Sequence, residues 1–281
     1  MKHPLLMASA YILCSTLSLA HAETPTIKIN TLKAAPQLDG SAEDWQDIAA
    51  STIKLTYVGQ PERTKTVLLK AGVFGDEVFF HTEWEDSTQD IQHKPSIWDE
   101  AQQKYVEGSQ LEDRFAMEFA MEGDYDANWL SGKEFTSDMW NWKAARTNPI
   151  GISHDKITVI SKQPMAESYK TTLPDGSNLY INRPTDMGVE PYATKRYFKK
   201  QQDLMPKYVP QEKLPAGADD VKAKGVWKDG RWSLEQRRKL NTGHEDDVQF
   251  TVGNPVKGAV AVFDHDDSAH HFISETLTFA F

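Results

Sequence analysis

The chain has a single cysteine, Cys14, which lies in an apolar run from Pro4 to Ala20. Met1-Lys2-His3 precedes that run and Ala20-His21-Ala22 closes it, the three-part pattern of a secretory signal with an Ala-x-Ala cleavage site. Cleavage is expected after Ala22, leaving residues 23–281 as one exported domain. Leu13 is too large for the position before a lipidated cysteine, so Cys14 is not read as an anchor. The exported part then has no cysteine, which excludes a disulfide, a thiolate metal ligand and a Cys-x-x-Cys-His attachment site.

A second long apolar segment is also lacking, so the expectation is a soluble protein without membrane insertion, most simply in a bacterial periplasm. Positive charge is in deficit. The 31 Lys and Arg against 41 Asp and Glu give −10, one unit more negative once Lys2 leaves. That balance argues against nucleic acid and anionic membranes as partners and permits docking to a basic protein surface. There is no Gly-rich phosphate loop, Gly-x-Ser-x-Gly elbow or His-Glu-x-x-His helix. No internal repeat or low-complexity stretch occurs.

What is present is period-two alternation. Trp227-Lys228-Asp229-Gly230-Arg231-Trp232 places an Asp-Gly turn between tryptophans and predicts a hairpin. Ile53, Leu55 and Tyr57 alternate with polar residues, as do Val248, Phe250 and Val252, and Leu277, Phe279 and Phe281. Val67 to Val73, Val78 to Trp84 and Ala259 to Phe263 read as further core strands. Phe115, Met117, Phe119 and Met121 share one face of a strand whose other face carries Arg114, Glu118 and Glu122. Leu38-Asp39-Gly40 to Trp45 reads as a turn leading into a short helical start. Gln89 to Gly108 is too irregular to assign. Residues 147–223 contain eight prolines and weak periodicity, and read as a long, partly helical excursion of the kind that is functional or partner-facing. The predicted fold is mainly β, an antiparallel β-sandwich with that long insertion.

The candidate chemistry lies between the last two strands, in Asp264-His265-Asp266-Asp267-Ser268-Ala269-His270-His271-Phe272-Ile273-Ser274. Loops held by a rigid sheet are common binding places. Imidazoles and aspartates there suit a divalent metal or, through oxygen alone, calcium. Ser268 or Ser274 beside a histidine is a weak hydrolase signal. The inward methionines fit ordinary core packing, and a thioether is also a soft ligand for iron.

Several stretches together resemble the haem-binding domain shared by the gamma subunits of ethylbenzene dehydrogenase and dimethylsulfide dehydrogenase and related periplasmic cytochromes, a DMSO reductase-like group. They are Leu38-Asp39-Gly40 with Asp44-Trp45, Trp84-Glu85-Asp86-Ser87-Thr88, Glu112-Asp113-Arg114, Asp138-Met139-Trp140-Asn141-Trp142-Lys143-Ala144-Ala145-Arg146, Gly230-Arg231-Trp232 through Arg237, and Ala261-Val262-Phe263-Asp264 through His271 and Ser274. The resemblance implies a sandwich holding one non-covalent haem b between an axial methionine and a second ligand near the C-terminal strand. The gamma subunits use lysine as that second ligand. Here the matching position is His271, with His270 as the alternative one residue away. The methionine matching the family's upstream element is Met121, followed by Met117 on the same face and Met139 third, so the expected metal ligands are His271 and Met121. Trp140 and Trp142 are expected at the cofactor, with Lys143 and Arg146 neutralising its propionates.

The implied function is one-electron transfer without substrate turnover, to a molybdoenzyme catalytic or iron-sulfur subunit or to a cytochrome. A carbohydrate-binding module, with tryptophans as sugar platforms, and an enzyme with a metal in the Asp/His loop are the rival readings.

Overall fold

The computed structural model describes residues 24–281. The signal peptide expected at residues 1–22 lies outside them. The chain forms an antiparallel β-sandwich. One layer runs Ser51–Tyr57, Gln60–Phe74, Glu77–Glu85, Arg231–Lys239 and Lys222–Lys228 in spatial order. The other runs Tyr169–Thr172, Asn178–Asn182, His154–Ser161, Phe135–Lys143, Arg114–Gly123 and Val256–Phe263. The two-residue strand Phe272–Ile273 pairs with Val256–Phe263 on one side and Ser51–Tyr57 on the other, so the hydrogen-bonded ladder passes from layer to layer. Leu277–Ala280 extends the second layer and pairs in parallel with Thr26–Lys28.

Local sequence explains the joints. Asp229 and Gly230 have φ of +52° and +78°, the left-handed pair that a two-residue hairpin turn requires, and Lys228 and Arg231 close the ladder beside them. Between the layers, Phe115 stacks on Trp84 at 5.3 Å, Trp142 meets Trp232 edge-on at 4.9 Å, and Phe80 meets Trp140 at 5.7 Å. Gly225 faces Trp142 so closely that a Cβ would lie 2.3 Å from the indole. Each fully buried tryptophan contributes roughly 4–6 kcal/mol of transfer free energy, enough to make this seam the main source of stability. Trp45, at the end of the turn Glu43–Trp45, packs with Leu32 and Phe79 on the outside of the first layer.

Three expectations are corrected. Residues 147–223 are not partly helical beyond the turns Asn148–Ile150 and Asp186–Gly188; they supply three strands to the edge of the second layer. Val248 to Val252 forms no strand: Val248 gives its backbone N–H to the Asp138 carboxylate instead of to a neighbouring strand, and Val252 is exposed. The unassigned 89–108 segment contains a hairpin, Ser96–Asp99 with Lys104–Glu107, joined by Leu204–Met205. A further hairpin, Tyr192–Thr194 with Tyr208–Pro210, lies over one end of the second layer's outer face.

Candidate functional site

The strand Arg114–Gly123 sends Phe115, Met117 and Phe119 into the inter-layer core and turns Arg114, Ala116 and Glu118 outward. Its neighbours keep the same parity. Ala116 pairs with Ala261 on one side and Asn141 on the other, so small side chains floor the outer face. Met139, Phe263, Ile273 and Trp129 pack around that floor. His271, next to Ile273 but one, stacks on the Phe263 ring at 4.7 Å, and the Arg114 guanidinium lies 4.0 Å from the same ring. Arg183 brings a guanidinium nitrogen to 3.1 Å from Met139 Sδ and sits over Trp129. Trp129 is fixed by donating Nε1–H to Glu118, which also accepts from Tyr125 and Ser137.

Cations crowd the other end of this face. Lys143 contacts His154 Nδ1 and donates to the Tyr192 hydroxyl at 3.0 Å. Arg146 donates to Glu112 and to Tyr192, and lies over the Tyr192 and Tyr208 rings. His93 reaches the same group through Tyr208. Burial lowers the pKa of Lys143 well below the usual lysine range, reinforced by Arg146. His154 is lowered in the same way by burial and then Lys143. His271 is pushed down to about 4 by burial, then by Arg114 and Arg183, and His93 to about 3 by burial and Arg146. At neutral pH these imidazoles are uncharged, the form that ligates metals.

Buried polar atoms without a hydrogen-bond partner mark the same face: Arg114 Nε, Arg183 Nε, Asn141 Oδ1, His93 Nδ1, His154 Nε2 and His271 Nδ1. An unsatisfied buried donor or acceptor costs about 1–3 kcal/mol, and natural folds hold few of them. Six lie on this face and others lie in the core and around Arg238, so the cations and the neutral imidazoles, rather than the unpartnered atoms alone, make this face a candidate binding surface.

The structure brings His271, Lys143 and Arg146 onto this face. It does not bring the other expected residues there. Met117 is fully buried in the inter-layer core, and Met121, beside a register shift in its strand, is half-buried against that core. Trp140 and Trp142 point into the core as well. His270 is exposed and bonded to Asp267. Met139, third in the sequence ranking, is the methionine on this outer face, opposite Glu118, in the cluster that also includes Phe263. Arg114, Arg183, His154 and Tyr192 complete the face. Strand parity carries the signal for Met139, since residues 139, 141 and 143 share one side and Trp140 and Trp142 the other. The rest of the Asp/His loop divides: Asp264 pairs with Lys65, and His265 lies 3.3 Å from Asp90. Ser274 is buried with its hydroxyl on the Val260 N–H, which leaves it no nucleophilic role.

A mainly-β sandwich with a cation-rich, methionine- and histidine-bearing outer sheet face defines the class. Residues 42–272 match the family model described as ethylbenzene dehydrogenase, and the chain belongs to that family. No curated protein matches it. Among solved structures, a candidate carbohydrate-binding protein from Bacteroides uniformis is similar at 12% identity and a TM-score of 0.46, covering 91% of this chain and 99% of that one. A family 9 carbohydrate-binding module from Caldicellulosiruptor kristjanssonii, in complex with glucose, is similar at 10% identity and a TM-score of 0.40, covering 89% and 84%.

Proposed function

We propose that the chain is an exported electron-transfer protein that would hold one non-covalent haem b on the outer sheet face, where His271 would offer the iron a nitrogen ligand and Met139 a thioether. The observation that supports this reading is His271, half-buried, uncharged at neutral pH, stacked on Phe263 beside the Arg114 guanidinium and with Nδ1 unpartnered. The residues suit the group: a neutral imidazole, a thioether on the same sheet face, and Arg114, Arg183, Lys143 and Arg146 for two propionates. Haem bound there supplies one-electron redox chemistry. The residues bind and orient it, and Trp129, Phe263 and the Tyr192–Thr194 hairpin limit water.

With His271 and Met139 both bound to it, the iron would have no free position for a substrate, which supports a relay role without turnover. Membership of the ethylbenzene dehydrogenase family fits a molybdenum-type oxidoreductase, through its catalytic or iron-sulfur subunit, or a cytochrome as the partner. The connection between Tyr192–Thr194 and Tyr208–Pro210 exposes Phe198, 88% accessible, beside Lys195, Arg196 and Lys199, cations without an ion pair among the described residues. Despite the acidic chain, the partner surface favoured next to the site is therefore acidic, with electrostatic steering that weakens as salt rises. The carbohydrate-binding reading has less support from the tryptophans. Trp45, Trp84, Trp140, Trp142 and Trp232 are buried and offer no sugar platform, while Trp98, Trp129 and Trp227 are half-buried.

The test is an absorption spectrum of the periplasmically expressed protein, oxidised and reduced, with a pyridine haemochrome assay. Low-spin b-type bands are expected. A protein that folds in haem-replete cells with no Soret band would overturn the proposal.

A further inference from the structure

Away from the outer face, two acidic connections meet at the end of the Arg231–Lys239 strand. One holds Gly217-Ala218-Asp219-Asp220, just before Lys222–Lys228; the other holds His244-Glu245-Asp246-Asp247. His244 Nδ1 lies 3.0 Å from Asp220 Oδ2 and 3.6 Å from Asp247 Oδ2. We infer that His244, Asp220 and Asp247 form a binding site for a divalent transition metal of the zinc class.

Geometry supports this before any ion is placed. Ligands about 2.0–2.2 Å from a metal, at angles between octahedral and tetrahedral, stand about 3.0–3.6 Å from one another. The two separations at His244 already fall there, and the three ligand atoms lie within 4.8 Å of one another. Asp247 is 2% exposed; its Oδ1 accepts from Arg238 Nη1 at 2.8 Å, while Oδ2, the atom facing His244, has no hydrogen-bond partner. His244 Nδ1 is likewise without a hydrogen bond despite its two close carboxylates. A lone buried carboxylate oxygen aimed at a lone imidazole nitrogen is costly unless something sits between them.

Asp219 and Asp246 lie alongside, and of the neighbouring cations Lys222 pairs with Asp219, Arg237 with Glu77, and Arg238 with Asp138 and Asp247. Gly217, at φ +100°, allows the approach, because a Cβ there would lie 3.1 Å from His244 Cε1. A cavity of about 320 Å³ bordered by Gly217, Asp220, His244 and Thr242, with Lys222, Arg237, Arg238 and Lys239 also on its wall, gives access and room for waters to complete the coordination. One imidazole with two carboxylates suits zinc, manganese or iron better than calcium or magnesium, and the Arg238 bond to Asp247 is the kind of outer contact that orients a ligand. The site shares no residue with the His271 face, so it stands or falls independently of the haem proposal.

The experiment is calorimetric titration of chelator-stripped full-length mature protein with Zn2+, with the melting temperature followed in parallel. The expected result is one Zn2+ per chain and a rise in melting temperature, since an ion that binds only the folded state stabilises it. Affinity should fall about tenfold or more in His244→Ala and in the isosteric Asp220→Asn, and stay unchanged in His270→Ala. His244 and Asp220 are both partly exposed, so Asp220→Asn reads the site even should His244→Ala fold poorly. Equal Zn2+ affinity in wild type, His244→Ala and Asp220→Asn, or no binding by folded wild type, overturns the inference. A surviving Soret band in these variants separates this outcome from any failure of haem binding.

Discussion

The strands Phe135–Lys143 and His154–Ser161 bury charge on both faces, and the two faces resolve it differently. Inward, Asp138 and Asp155 join Asp247 around Arg238, which lies over the Trp140 ring; burial and the neighbouring Asp138 raise the Asp155 pKa well above the usual carboxylate range. Outward, Lys143, His154 and Lys156 stand beside Arg146 and Arg183 with fewer acids, and several polar atoms have no partner. The inner group offsets its carboxylates with its own arginine, although Asp138 Oδ1, Asp155 Oδ2, Asp247 Oδ2 and Arg238 Nε still lack partners, and it belongs to the fold. The outer group holds more cations than acids, and a cationic face of that kind is a candidate binding surface.

The largest effect should come from opening the closed side. Arg238→Met leaves three buried carboxylates without their cation and should destabilise the fold by roughly 3–5 kcal/mol in denaturant unfolding. A loss below about 1 kcal/mol would mean that the carboxylates are already neutral and the inner network is not held by charge.

Acid should act next, on the haem-free protein. His271, about 4, His93, about 3, and His154 are all depressed in the fold, so the unfolded chain takes up protons first. Their stabilisation is complete above about 6.5 and is lost as pH falls toward 4, roughly 2–3 kcal/mol for His271 alone. Asp113, raised to about 7, and Asp186, raised to about 8, act oppositely, losing stability as pH rises through those values. These carboxyls oppose the histidines over the same window, from about 4 to 7, so the histidine share is read as a difference: the melting-temperature advantage of wild type over His271→Gln should shrink as pH falls from 7 to 4, and a gap independent of pH would contradict a neutral His271.

Much of this contrast is written in alternation. The parity of Phe115, Met117 and Phe119 predicts their shared face, and the Asp-Gly turn predicts the 227–232 hairpin, because both depend on local geometry alone. The binding face is harder to read. Alternation separates two sides of a strand but does not say which side a ligand uses; the family resemblance points to Met121, with Met117 on the same face, whereas the outer face carries Met139. The cover is also hidden: Arg183 and Tyr192 reach the site across 44 and 46 residues of sequence from Met139 and Arg146. The strands of 154–182 are masked by prolines and polar residues between short apolar positions. The position of His271 just before a strand is legible, because Phe272-Ile273 sets the register that follows it.

Smaller effects sharpen the comparison at the methionines. Met139→Leu and Met117→Leu each conserve volume and should cost less than about 1.5 kcal/mol. Only Met139→Leu should lose low-spin haem and bind carbon monoxide quickly in the ferrous state. Smaller still, Lys143→Gln with Arg146→Gln should weaken haem retention and shift the midpoint potential with the bands in place. Unchanged retention and potential would remove both side chains from propionate binding.

The most direct measurement is the oxidised and reduced absorption spectrum of haem-loaded wild type beside His271→Ala and His270→Ala. Low-spin b-type bands in wild type and His270→Ala, lost in His271→Ala, are the predicted result. An unchanged low-spin spectrum in His271→Ala would contradict the account, because the open cationic face would then not be where haem is held.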